Sequence, residues 1–460
     1  MTGFTDLQFI FRFCPVILGL YYLVPAHWRR VVLILASLVF YGMGDLRFLP
    51  LLVLLMLLNY AFSGPVQAHR RWSLILIVTL DALTLIAFKA LAALWGGCFL
   101  PIGLSFYSFR MIAFQADLYT GRVKGRGEGW TGFLQTCLYF CMFPQLVSGP
   151  IARYGDWEGM NVFSGEEEKL PEGERLLACL RRIEQGLYWF IPGLAMKVLL
   201  ADHLAMCWNE IGTIGYESLS TPLAWLGVVV YSMDLLFDFW GYSLMAAGLG
   251  VALGFPFIRN FNYPYAATGV SDFYRRWHIT LGTWFRDMVY IPLGGSRGGL
   301  FRTAVNLLVV WLLTALWHGV TLNFILWGML LYLMILWEKM VWSNTPRLRA
   351  VIGRIHVWLC VPLTWIIFAL SGTSDLIAYF RRLFFLDAGG NVSMTDFARV
   401  GVPYLGFVAV GLILLIPDLG LWYERHKNAV LMKLICLALF WASIYSAAGQ
   451  SSNPFMYLRF

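Results

Sequence analysis

Long apolar runs separated by short polar ones dominate this chain, on a scale much longer than a helical turn. They lie near residues 9–24, 31–43, 48–62, 73–95, 101–118, 132–150, 186–200, 223–254, 304–317, 321–337, 357–370, 402–417 and 429–446. A helix needs roughly 20 residues to cross a bilayer, and several runs are shorter or interrupted. The pattern therefore predicts an all-α polytopic membrane protein with about ten or eleven transmembrane helices plus re-entrant and amphipathic pieces.

Composition agrees. The 460 residues are 59% hydrophobic and 13% charged, with a mean hydropathy of +0.68, values that exclude an ordinary soluble enzyme. The net charge of +8 reflects cytoplasmic loops rich in Lys and Arg, not a nucleic-acid surface. Arg29, Arg30, Arg70, Arg71, Arg122, Lys124 and Arg126 alternate with Asp45 and the Gly96, Gly97 turn, which places the N-terminus outside. Arg12 inside the first run, and no small-residue cleavage site after it, mark a retained span and not a removed signal. The eight cysteines lie mostly in apolar segments, Cys137 and Cys141 one turn apart, and read as packing residues. Metal-type cysteine spacing, phosphate-binding glycine loops and internal repeats are absent. The longest polar insertion, 154–184, is too short for a domain, so residues 1–460 are expected to form a single membrane domain.

Against this background, polar residues inside apolar runs carry the information. His318 ends the segment NLLVVWLLTALWHG (306–319). At about 100° per residue it shares a face with Thr303, Leu307, Val310 and Thr314, a thin polar strip expected to face a cavity. An imidazole at membrane depth costs several kcal/mol unless partnered or hydrated. A second histidine, His278, lies in SDFYRRWHITLGTWFRD (271–287), where Ser271 and Asp272 suit a helix start. Phe273, Trp277, Leu281, Trp284 and Met288 form one stripe and Arg275, His278, Gly282 and Arg286 the opposed flank, which predicts one amphipathic helix. Its arginines either snorkel at the interface or hold the phosphates of an anionic donor such as a CoA thioester, discouraging protonation of His278. Asp234 and Asp238 share a face with Tyr231, Gly241 and Tyr242 in an apolar span, so they must pair with a basic group or line water. Helix-holding ion pairs are the expected role, with Asp238 and Thr314 also counted beside Arg275 and Arg286 among the substrate contacts. Residues 259–265 (RNFNYPY) read as a turn returning His278 towards the membrane. Arg110 and Asp117 fall on opposite sides of an interrupted segment beginning at Pro101, which suits a broken or re-entrant helix, and His27, His69, His356 and His426 read as membrane-surface histidines.

Several motifs together resemble the membrane-bound O-acyltransferase family, in particular its bacterial alginate O-acetylating branch: PIGLSFYSF (101–109), FPQLVSGPIAR (143–153), FDFWGYS (237–243), DFYRRWH (272–278), FRDMVYIPLGG (285–295), LWHG (316–319) and NPFMYLRF (453–460). Trp240 and Leu244 depart from that branch, and Leu244 is more like the branch that transfers D-alanine to teichoic acid. The resemblance implies that His318 is the catalytic histidine and His278 the second active-site histidine. It implies an inner-membrane enzyme that binds no cofactor or metal and draws an acetyl group from acetyl-CoA or another cytoplasmic acyl thioester. The acyl group would cross the membrane to O-acetylate an exported polysaccharide with help from a periplasmic or surface SGNH-type partner, amid membrane lipid. A neutral imidazole at His318 is the natural base for the acceptor hydroxyl, with His278 orienting acceptor or thioester. A flippase that uses the polar strip as a permeation path is the rival from another class.

Overall fold

The structure, a computed structural model, describes residues 3–95, 100–157, 160–341, 346–384 and 395–449. The Gly96, Gly97 turn and the 453–460 motif lie outside these. The described chain is helical, with no strand. Among the described residues, nine helical runs are long and apolar enough to cross a membrane, and one of them, Ala26–Gln67, comprises the successive helices Ala26–Asp45 and Leu49–Gln67. The chain divides into two compact units, one built from Met1–Leu194 with Tyr242–Arg259 and the last turns of the final helix, the other from Ala195–Gly241 and Asn260–Ser443.

In the first unit, Pro25 turns the Phe9–Leu23 stretch into Ala26–Asp45. Their seam is filled by Phe4, Phe9, Phe13, Phe40 and Phe143, with Phe13 and Phe40 centroids 5.6 Å apart. Polar groups buried here pair with one another, as lipid requires. Asn59 donates to Asp81 at 3.0 Å, and Gln115 donates to the Asn59 carbonyl at 2.7 Å. Leu104–Tyr119 and Gly129–Cys141, 16 and 13 residues long, are short of a full crossing. Gly103, at φ 71°, turns the chain into the first of them where a Cβ would strike the Leu146 carbonyl. This helix runs unbroken through both Arg110 and Asp117, so of the expected broken or re-entrant helix the broken form is absent. Arg110 lies 4.5 Å over the Tyr139 ring, and Asp117 pairs with Arg153 at 2.7 Å.

The second unit holds both candidate histidines. It begins at Ala195, within the 43-residue helical run Glu172–Ile214, and opens on a π-helical stretch, Met196–Ala201, on which Lys197 is buried. Lys197 Nζ lies 2.6 Å from Asp202 and 2.7 Å from Asp238, all three buried, with Asp234 buried one turn before Asp238. The basic group that the aspartates demanded is therefore Lys197, and Asp238 is committed to it. The Gly299–His318 helix is followed after three residues by Leu322–Val341. Asn323 ties the latter to the Val361–Ala369 helix by donating to the Phe368 carbonyl at 3.0 Å.

Removing the cation from this cluster strands buried carboxylates, which costs about 3–5 kcal/mol. Lys197→Met is expected to lower sharply the thermal unfolding midpoint of purified protein in detergent, and adding Asp238→Asn to recover part of the loss. An unchanged midpoint for Lys197→Met would refute the structural role.

Candidate functional site

The expected single helix over 271–287 is broken at the histidine. Val270–Arg276 and Ile279–Phe285 are separate short helices, and a π-helical turn, Arg286–Tyr290, follows. His278 stands at the break with φ 45° and ψ 54°, the left-handed region that a side-chain-bearing residue enters at a cost. A helical wheel drawn through the break is therefore invalid, and Arg275, His278 and Arg286 do not share a flank.

Two residues distant in sequence sustain the break. Asn260, in the extended stretch after the Thr221–Ala252 helix, accepts the Ile279 amide on its backbone carbonyl at 2.8 Å. Its side-chain Oδ1 accepts from the Thr280 amide at 3.3 Å and the Thr280 hydroxyl at 2.9 Å, and lies 3.1 Å from His278 Nδ1. A backbone N–H can only donate, so the Asn260 atom facing it is the oxygen, and His278 Nδ1 must carry a hydrogen to bond the same atom. In the neutral ring the lone pair is then on Nε2. Burial pushes the His278 pKa down from 6.5 to about 3, so the ring is neutral near pH 7. Desolvation is the cause, in place of the neighbouring arginines expected from sequence.

Glu338 holds the other end. Near the end of Leu322–Val341, its buried carboxylate accepts the Val270 amide at 2.5 Å and the Ser271 amide at 2.9 Å, capping the helix that leads to His278. Gly269 permits this approach, since a Cβ there would stand 2.8 Å from Glu338 Oε1. Asp272 lies in the first turn, as expected of a helix start, where its carboxylate accepts the Thr268 amide at 3.3 Å and pairs with Arg276 at 3.1 Å and Arg275 at 3.3 Å.

His318 closes the last turn of its helix and is 7% exposed, His278 3%. Aromatic rings wall it in: Trp327 at 5.1 Å and Phe368 at 5.0 Å, both edge-on, and Phe324 at 6.0 Å. The Trp317 ring contacts both imidazoles, with centroids 4.4 Å from His318 and 6.5 Å from His278. Phe239 meets the His278 ring edge-on at 4.6 Å. Two histidines 40 positions apart thus share one aromatic neighbour in a setting poor in water, where a neutral imidazole can take a proton and fixed dipoles act strongly.

The other sequence-predicted residues are engaged within the chain. Arg275 is 66% exposed and bonded to Asp272, and Arg286 is 59% exposed and bonded to Asp287 at 2.8 Å. The Thr314 hydroxyl donates to its own helix at Val310, 2.8 Å away, and Asp238 is held by Lys197. Asn260, Glu338 and Lys197 were missed as individual residues. Glu338 and Lys197 carry the signal of a charge within or beside an apolar run, whereas Asn260 carries none beyond its place in RNFNYPY.

A sequence profile of the membrane-bound O-acyltransferase family matches residues 33–380. The chain is 31% identical to the "Probable alginate O-acetylase AlgI" of Pseudomonas putida, over 99% of this chain and all of that one. Identity to the peptidoglycan O-acetyltransferase of Helicobacter pylori is 29%, over 94% of this chain and 88% of that one. Identity to the teichoic acid D-alanyltransferase of Bacillus subtilis is also 29%, over 50% of this chain and 56% of that one.

Between pH 6.5 and about 3 the unfolded chain protonates His278 and the folded chain does not. Stability linked to this residue is therefore intact above pH 6.5 and lost as pH falls through that window. His278→Phe is expected to flatten the acid limb of the unfolding midpoint against pH, and an unchanged limb would contradict the buried neutral ring. Asn260→Leu removes the acceptor that sets the tautomer and is expected to lower acyl transfer about tenfold or more at unchanged protein level; full activity would sink the orienting role.

Proposed function

The chain belongs to the membrane-bound O-acyltransferase family and is a multi-pass membrane O-acyltransferase; on that premise we propose that it O-acetylates an exported or cell-surface polysaccharide from the inner membrane, drawing the acetyl group from a cytoplasmic thioester such as acetyl-CoA. The observation that carries the site assignment is the pair of buried histidines, His318 and His278, joined through Trp317. In the proposed step the acceptor oxygen attacks the thioester carbonyl carbon and its proton passes to the His318 imidazole. Collapse of the tetrahedral intermediate breaks the C–S bond, and the departing sulfur takes that proton, leaving the acyl group on oxygen and the ring neutral again. His278, fixed by Asn260 with its lone pair on Nε2, orients acceptor or thioester.

The near full-length likeness to proteins called alginate O-acetylase and peptidoglycan O-acetyltransferase favours acetyl as the group and a polysaccharide as the final acceptor. The D-alanyl reading draws on Leu244 and on a relative matched over half of this chain. A periplasmic or surface SGNH-type acetyltransferase would complete delivery to sugar. Arg275 and Arg286, both exposed, are proposed to exchange an intrachain carboxylate for a phosphate and so meet the anionic part of the donor. Asp238 and Thr314 are given no direct contact in this scheme, because each is engaged within the fold.

Membrane vesicles supplied separately with labelled acetyl-CoA and with a D-alanyl carrier protein distinguish the donors. Acetyl-CoA alone is expected to give polymer label that mild base releases as acetate; release of D-alanine would overturn the acetyl assignment. Arg275→Ala with Arg286→Ala is expected to raise the KM for donor about tenfold or more with little change in kcat. Loss of kcat alone would reassign both arginines to headgroup contact.

A further inference from the structure

An open groove of about 520 Å³ runs along the outer seam of the first helical hairpin. Gln8, Arg12, Val16 and Leu20 recur every fourth residue along one wall, and Val39 and Met43 stand on the other. Gln8 and Arg12 are its polar end, and the rest is apolar side chain. From Gln8 to Leu20 the helix rises roughly 18 Å at 1.5 Å per residue, long enough to lay most of one fatty-acyl chain along it.

Arg12 is exposed, and among the described residues no hydrogen bond or ion pair joins its guanidinium. The nearest carboxylate in sequence, Asp6, accepts the Gln8 amide at 2.8 Å. A permanent cation on a lipid-facing helix must snorkel to water or find an anion. The groove supplies a reason for the second: a molecule that lies in it with its tail along Val16 and Leu20 brings its head to Arg12.

We propose that this groove is a binding site for an anionic glycerophospholipid, with one acyl chain between the two helices and the headgroup phosphate on Arg12 and Gln8. Bulk lipid is as apolar as the groove, so the tail contributes position and little selectivity; preference for an anionic head comes from Arg12. A free phosphate lacks the tail that would hold it there.

The test uses the full-length protein in nanodiscs and phospholipids carrying a photoreactive diazirine in one tail, either phosphatidylglycerol or phosphatidylcholine. Cross-linked peptides from residues 13–20 and 32–43 are expected to be labelled about fivefold more by phosphatidylglycerol, the gain from one cation beside an anionic head. In Arg12→Leu the ratio at those peptides is expected to fall to near one. Equal labelling by the two lipids in the wild-type protein would overturn the proposal whether or not the variant inserts, as would a preference undiminished in Arg12→Leu. Loss of the phosphatidylglycerol preference on adding inorganic phosphate alone would replace the lipid with a free-anion site. Labelling blocked by dimerisation of the chain, regardless of headgroup, would replace it with a second copy.

Discussion

Backbone polar groups freed by a break in a helix have no water to turn to in an apolar setting, and the site around His278 is organised by that constraint. Breaking the helix at this residue leaves carbonyls unpaired before it and amides unpaired after it. The Asn262 amide donates to the Arg276 carbonyl at 2.9 Å, Asn260 receives Ile279 on its carbonyl and Thr280 on its side chain, and Glu338 receives the Val270 and Ser271 amides at the start of the preceding helix. With the donors accounted for, the left-handed conformation of His278 becomes tolerable, and the oxygen that satisfies Thr280 also sets the imidazole's tautomer. A residue that repairs the backbone therefore prepares the chemistry.

Charge obeys the same rule more expensively. The Lys197, Asp202 and Asp238 cluster keeps two carboxylates in an apolar unit by supplying their counterion from a π-helical stretch of another helix. One residue beyond Asp238, Phe239 packs against His278. The ion pairs thus anchor the helix that supplies a wall of the histidine site, although the aspartate itself faces its lysine.

Much of this was legible in the chain. His318 was identifiable because an imidazole at the end of LLTALWH has no business in lipid without a partner or a task, and Asp234 with Asp238 called for a basic group or water opposite. Periodicity failed over 271–287 because it describes an unbroken helix. The groups that stabilise a break at His278 come from 18 positions before and 60 positions after it, and no local pattern encodes them. The same distance hid the pairing of Lys197, which reads locally as the one blemish in an apolar run. Arg275 and Arg286 were placed beside His278 only by that continuous wheel, and the real turn sends them outward to Asp272 and Asp287.

The central claim is that His318 is the base that takes the acceptor's proton. It is tested most directly by comparing transfer of labelled acetyl groups to polymer in membranes holding equal amounts of folded wild-type and His318→Ala protein. Loss of a general base predicts a fall of about 10²–10⁴-fold with insertion and unfolding midpoint preserved. Near wild-type transfer in the well-folded variant would contradict the assignment and move the chemistry away from this histidine.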